Sequence, residues 1–182
     1  SFGMDVLAYD PFLSADSASK LGVPLVELDD LIKGSDFITL HLPKNAQTAK
    51  LISDKQFEMM KDGVRIVNCA RGGIIDEAAL VRAIQSGKVA GAAVDVYEQE
   101  PPAQDNPLLS LSQTVTTPHL GASTHEAQVN VAIDVARQIV DVLSGRQAAS
   151  AVNMPSLSGE QMAHLSPFMK LAEAMGAMAV QT

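Results

Sequence analysis

Apolar positions along the chain follow two rhythms. Short, nearly unbroken runs at Asp5 to Tyr9, Asp36 to Leu42, Val64 to Val67, Gly91 to Val96 and Thr114 to Thr117 have the length and β-branched content of buried strands. Between them, apolar residues recur every three or four positions, the period of one helix face. Such stretches are Glu27 to Lys33, Ser53 to Met60, the set Ala79, Leu80, Ala83 and Ile84, and the longer series Val129, Ala132, Ile133, Ala136, Ile139, Val140 and Leu143. Punctuation agrees with this division. Gly34, Gly87 and Gly145 follow three of the helices, and Leu21-Gly22-Val23 closes a further short one. Asp76 stands as an N-cap, while Ser53 with Gln56, and Ser123 with Glu126, have capping-box spacing.

Strands that alternate with helices predict an α/β fold built on a doubly wound parallel sheet, because parallel strands need crossovers. Its centre is the strand, loop, helix and strand from Val64 to Val96. Ligands of open parallel sheets bind beyond the carboxyl ends of the strands. Arg71, where the first of these strands ends, is therefore placed to meet a ligand; a surface ion pair is the ordinary alternative.

Charge and composition narrow the classes. A net charge of −8 over 182 residues argues against nucleic acid or an anionic membrane as partner, since both need clustered Lys and Arg. One cysteine excludes a disulfide framework and fits a reducing, cytoplasmic setting. No apolar run approaches a bilayer span. There is no clustered set of His, Cys and carboxylates, so no metal site is expected. The methionines Met162, Met169, Met175 and Met178 lie at helical spacing among Leu165, Phe168, Leu171 and Ala172, where Met is expected as core filler.

Asp10 closes the first apolar run. In dinucleotide-binding folds an acidic residue at the end of the second strand accepts hydrogen bonds from the adenosine ribose, about 20 residues after a glycine fingerprint. Counting back places that fingerprint before Ser1. The expectation is a Rossmann-like sheet lacking its first strand and phosphate loop. A carboxylate at this position favours NAD over NADP, whose 2′-phosphate it would repel. An Asp-Pro turn is the plainer reading.

Three ordered segments carry a resemblance: Cys69-Ala70-Arg71-Gly72-Gly73, then Ala93-Val94-Asp95-Val96 with Glu100-Pro101-Pro102, then Pro118-His119-Leu120-Gly121-Ala122-Ser123-Thr124. Together they resemble the signatures of the D-isomer-specific 2-hydroxyacid dehydrogenases, over nearly the whole chain. The resemblance implies NAD as cofactor and a small 2-hydroxy acid as substrate, 3-phosphoglycerate being favoured over lactate, glyoxylate, formate or erythronate phosphate. It assigns catalysis to Arg71, Glu100 and His119, and cofactor contacts to Asp10, Leu42, Cys69, Ala70, Arg71, Asp95, His119 and Gly121. It divides the chain into a nucleotide-binding domain, 1–149, and a return segment of the substrate domain, 150–182, entered through Ala151-Val152-Asn153-Met154-Pro155. It also implies a homo-oligomer formed through the nucleotide-binding domain, with the loop Tyr97 to Leu111 taking part. A NAD-sensing binding module of the corepressor type is the alternative from another class.

The chemistry accounts for these residue types. A hydroxyl proton must leave as a hydride departs from the same carbon, and an imidazole titrating near neutrality suits that task. A carboxylate beside it orients the ring, and an arginine fork grips the substrate carboxylate. Asp95 interrupts an otherwise apolar strand and demands a partner, since burying a lone carboxylate is costly. A nucleophilic role for Cys69 is not expected, and His41, His125 and His164 have no mechanistic claim.

Overall fold

Four parallel strands form a sheet in the order of the chain: β1 (Phe37–Leu40), β2 (Val64–Asn68), β3 (Val89–Val94) and β4 (Thr114–Thr116). Helix α1 (Leu28–Gly34) precedes β1, α2 (Asp54–Met59) and α3 (Glu77–Gln85) occupy the crossovers from β1 to β2 and from β2 to β3, and a short 3-10 turn, Pro107–Leu109, precedes β4. The computed structural model describes residues 3–13, 18–20, 22–121, 123–146, 148, 150 and 159–180, and the side chains of 159–163 and 180 are left aside. Two units are distinguished along the chain, Ser1–Thr124 and His125–Thr182.

Local signals explain the helices. Ser53 and Gln56 form the expected capping box at the start of α2. Asp76 caps α3 by accepting the Ala79 amide at 3.0 Å, and Gly87 follows that helix at φ +80°. Ala79, Leu80, Ala83 and Ile84 are the buried stripe of α3, which packs on α2 and β3. Inward-facing Ile38, Leu40, Val64, Ile66, Ala92 and Val94 meet that layer, with Ile32, Ile52, Ile74 and Leu108 fully enclosed. Each buried Ile, Leu or Val among them contributes on the order of 1.5–3 kcal/mol by leaving water. The alternate positions Phe37, Arg65 and Val115 are exposed, and the Arg65 guanidinium stacks 5.5 Å over the Phe37 ring.

Some elements differ from expectation. The run Asp5 to Tyr9 is extended but makes a single parallel bridge, Ala8 to Leu25. β3 begins at Val89, two residues before Gly91, and β1 spans only Phe37–Leu40. In the second unit, α4 (His125–Leu143) starts two residues after Ser123, and α5 (Gly159–Val180) carries Pro167 within it. The apolar stripe of α4 is present, yet no residue of that helix is buried; Leu143 is 82% exposed. Met169, Met175 and Met178 are likewise exposed rather than core filler. A helical period specifies which residues share a face; it does not supply the surface that covers them. The predicted exit through Ala151 to Pro155 lies outside the described residues, as does Ala122.

No helix among the described residues is long and apolar enough to cross a membrane.

Candidate active site

All four strands run the same way, so the loops that follow them emerge along one edge of the sheet. That edge carries Leu42 after β1, Cys69 to Gly73 after β2, Asp95 to Glu100 after β3, and Pro118 to Gly121 after β4.

Asn68 shapes the first functional turn. Buried at the end of β2, it accepts the Ala70 amide at 3.1 Å and donates its side-chain amide to the Arg71 carbonyl at 3.3 Å. The arginine side chain is left exposed, its Nη1 donating to the Ala70 carbonyl at 2.7 Å. It pairs with no carboxylate among the described residues, unlike Lys50, Lys61, Arg82 and Lys88.

The next residue ties this turn to the loop after β3. A Cβ placed on Gly72 would lie 1.6 Å from the Tyr97 carbonyl oxygen, so only glycine fits there. Tyr97 is a buried hub. Its amide donates to Glu100 Oε1 at 3.0 Å, and its hydroxyl lies 3.1 Å from the Thr117 carbonyl and 3.3 Å from that of Val94. Burial pushes its phenol up, so it stays a donor.

Glu100 and His119 form the chemical centre. Glu100 Oε2 lies 2.7 Å from His119 Nδ1, and the Glu100-Pro101 bond is cis. The hydrogen bond from His119 and that from the Tyr97 amide outweigh partial burial, holding the Glu100 carboxyl below the usual glutamate range. With Nδ1 committed to a carboxylate, Nε2 is the ring nitrogen open to a substrate.

His119 has φ +57°, in the left-handed region. For a residue with a Cβ this conformation costs roughly 1–2 kcal/mol. Asp95 supplies the compensation. Its Oδ1 accepts the Thr117 hydroxyl at 2.5 Å and the Leu120 amide at 2.8 Å, and its Oδ2 accepts the Gly121 amide at 3.1 Å. Burial pushes this carboxyl up, but those three donors and the nearby imidazole outweigh it and hold the group below its ordinary value.

Glu100 with His119, and Asp95 with Thr117, Leu120 and Gly121, are thus two hydrogen-bonded groups that meet in the same loop. Arg71 reaches them through Gly72 and Tyr97, with no hydrogen bond between its guanidinium and the imidazole. Leu42 and Ala70 are half-buried and Cys69 is exposed, all on the same edge. Asp10 stands apart. It initiates a turn in an exposed position, Oδ1 accepting the Phe12 amide at 2.8 Å. Sequence reasoning did not single out Asn68, Tyr97 or Thr117. A polar residue at the end of an apolar run, as at Asn68, is the signal that could have marked one of them.

Behind the site, Lys50 Nζ lies 2.9 Å from Asp76 and 3.9 Å from Glu98. Glu77 and Glu98 each accept the other's backbone amide, and Glu77 also accepts the Asn106 side chain at 2.9 Å. This network fixes the loop bearing Glu100 against the start of α3.

A parallel sheet with this edge of loops, closed by a histidine–carboxylate pair and an exposed arginine, defines a dehydrogenase-type nucleotide-binding domain. The chain belongs to the D-isomer specific 2-hydroxyacid dehydrogenases, whose NAD binding domain matches residues 1–121. It is 54% identical over 176 residues to D-3-phosphoglycerate dehydrogenase of Archaeoglobus fulgidus, covering 97% of this chain and 33% of that protein. The same enzyme of a Synechocystis strain is 53% identical over 181 residues, 100% of this chain and 32% of that one. The chain therefore spans about a third of the length of these relatives. Among solved structures it resembles a glyoxylate reductase from Paecilomyes thermophila, with a TM-score of 0.72 and 37% identity over 84% of this chain and 46% of that one. A D-lactate dehydrogenase from Treponema pallidum gives a TM-score of 0.70 and 33% identity, over 84% of this chain and 49% of that one.

NAD is the cofactor of this domain family, and the donor set fits it in part. Asp10 offers an exposed carboxylate suited to ribose hydroxyls, and the loops after β1 and β2 lie on one edge. Asp95 Oδ2 accepts the Gly121 amide at 3.1 Å and keeps the capacity to accept a second donor.

Proposed function

We propose that the polypeptide carrying this chain oxidises D-3-phosphoglycerate with NAD, this chain forming its nucleotide-binding domain and the segment 150–182 returning to a substrate domain. The observation that carries the reading is the His119–Glu100 pair at 2.7 Å on the edge that also presents the exposed Arg71. Relatives about half identical over the whole chain bear the phosphoglycerate name, which favours that substrate.

Arg71 would take the substrate carboxylate in a two-pronged grip and hold the reacting carbon toward His119. His119 Nε2 would then remove the hydroxyl proton, the imidazolium being stabilised by Glu100 across Nδ1. Bound NAD supplies the hydride acceptor. In the reverse direction the same nitrogen returns the proton to the carbonyl oxygen. Other sites on this edge, at Leu42, Cys69 and Ala70, would contact the cofactor through backbone groups. The assembly is proposed to be a cytoplasmic homo-oligomer joined through this domain.

The test is NADH formation by the native polypeptide with D-3-phosphoglycerate, D-lactate or D-glycerate in turn. The phosphorylated acid should give the highest kcat/KM. His119→Gln should lower kcat by roughly 10²–10⁴-fold while NADH binding persists. A kcat within about tenfold of the parent's after this substitution refutes the assignment.

A further inference from the structure

We propose that Tyr97 is a positioning residue that sets the spacing of Glu100 and His119, its backbone amide holding the carboxylate and its hydroxyl holding the turn that bears the imidazole. The inference rests on the reading of His119 as the acid–base group. The Tyr97 amide donates to Glu100 Oε1 at 3.0 Å, while Oε2 of the same carboxylate lies 2.7 Å from His119 Nδ1. At the far end of the tyrosine, the hydroxyl lies 3.1 Å from the Thr117 carbonyl and 3.3 Å from that of Val94. A hydroxyl has one proton to give. The Val94 carbonyl already accepts the Thr117 amide at 3.0 Å, so the shorter contact, to Thr117, is the one the phenol serves. Burial pushes the phenol up, which keeps that proton in place.

The oxygen, rather than the ring, is the part that packing does not explain. A phenylalanine would fill the same buried space, and what the hydroxyl adds is a tie between two loops. Thr117 stands two residues before His119, and Pro118 between them has no amide to donate. The phenol therefore grips the carbonyl of the peptide that enters Pro118, at the root of the turn. His119 itself has φ +57°, a conformation that its surroundings must hold. Both anchors belong to one residue, so the loop from Tyr97 to Glu100 and the turn after β4 move as a unit. The Tyr97 carbonyl also rests on Gly72, where a Cβ would come within 1.6 Å of its oxygen, and this seats the unit against the turn that carries Arg71. Without the hydroxyl the two loops can slip past one another, and the carboxylate loses its hold on the imidazole.

The test uses Tyr97→Phe, Glu100→Gln and the double variant in the native polypeptide, with folding checked by circular dichroism. Tyr97→Phe removes one oxygen and keeps the ring, so the fold should be retained. It should lower kcat by about tenfold, the loss of one buried hydrogen bond read as misplacement of the catalytic group. The substrate KM and the NADH Kd should change by less than about threefold. Because the hydroxyl acts through the carboxylate–imidazole pair, adding Tyr97→Phe to Glu100→Gln should cost less than about threefold more. A loss of kcat smaller than about threefold in Tyr97→Phe overturns the inference. So does a further loss of about threefold or more in the double variant, which would mean that the hydroxyl acts apart from Glu100. Amide hydrogen exchange at position 97 poses the question without turnover. Faster exchange in Tyr97→Phe is expected, since the clasp on Glu100 loosens, and protection equal to the parent's overturns the proposal. Absence of turnover in the parent protein would instead sink the assigned activity, leaving the exchange measurement to judge Tyr97.

Discussion

Glu100 holds His119 with one carboxylate oxygen and its own loop with the other: Oε2 lies 2.7 Å from the imidazole Nδ1, and Oε1 accepts the Tyr97 amide at 3.0 Å. Orientation of the ring and shape of the loop are therefore coupled through a single carboxylate. Removing its charge should disturb both.

The pH dependence of that coupling has a definite sign. The Glu100 carboxyl is held below its ordinary value by His119 and by the Tyr97 amide. The folded state thus binds fewer protons than the unfolded chain near the normal glutamate pKa of about 4.3. The stabilising contribution is present above that pH and is lost as pH falls through the lower, folded value. Urea unfolding of the parent and of Glu100→Gln should differ at pH 6 and converge in strong acid. A difference that grows on acidification would contradict the pairing.

Arg71→Lys tests whether the guanidinium fork matters. A lysine keeps the charge but not the two-pronged geometry. In the native polypeptide kcat/KM for the 2-hydroxy acid should fall by roughly 10–100-fold, the equivalent of about 1.5–3 kcal/mol for a charge-assisted hydrogen bond. The NADH Kd should be little affected, as titration by fluorescence would show.

Gly72 and Gly73 should behave differently although adjacent. Gly72→Ala would force a Cβ to within 1.6 Å of the Tyr97 carbonyl, so the Arg71 turn and the Glu100 loop must separate. Loss of turnover and destabilisation of about 1–3 kcal/mol or more are expected. Gly73→Ala meets only the movable end of Lys44, though at φ +79°. Its cost should be the backbone term of about 1–2 kcal/mol, with turnover retained. Thermal unfolding and steady-state rates of the two variants make the comparison.

Asp76 joins a helix cap to an ion pair, accepting the Ala79 amide at 3.0 Å and Lys50 Nζ at 2.9 Å. Asp76→Ala should cost about 1 kcal/mol from the cap. Asp76→Asn, which retains the capping oxygen, should cost less. Chemical denaturation measures both, and equal losses would mean that the ion pair, rather than the cap, is the larger contribution.

The elements and their order could be read from the linear chain because their signals are local. The capping box of Ser53 and Gln56, the Asp76 cap, and the alternation of short apolar runs with helical stripes each act within a turn or two of the backbone. Arg71 and His119 could be read as candidates as well, since both stand just past strand ends, whereas Glu100 was marked only by the family resemblance. What the residue order did not disclose depends on groups far apart in it. His119 and Glu100 are 19 residues apart, and Asp95 reaches amides 25 and 26 residues away. Those meetings follow from β3 lying between β2 and β4, which is a property of strand packing. The left-handed backbone at His119, the Tyr97 hub and the hydrogen bonds of the Asp95 carboxylate exist only once the strands are side by side. The apolar stripe of α4 illustrates the same limit, because periodicity identifies a face that favours burial while the surroundings decide whether it is buried.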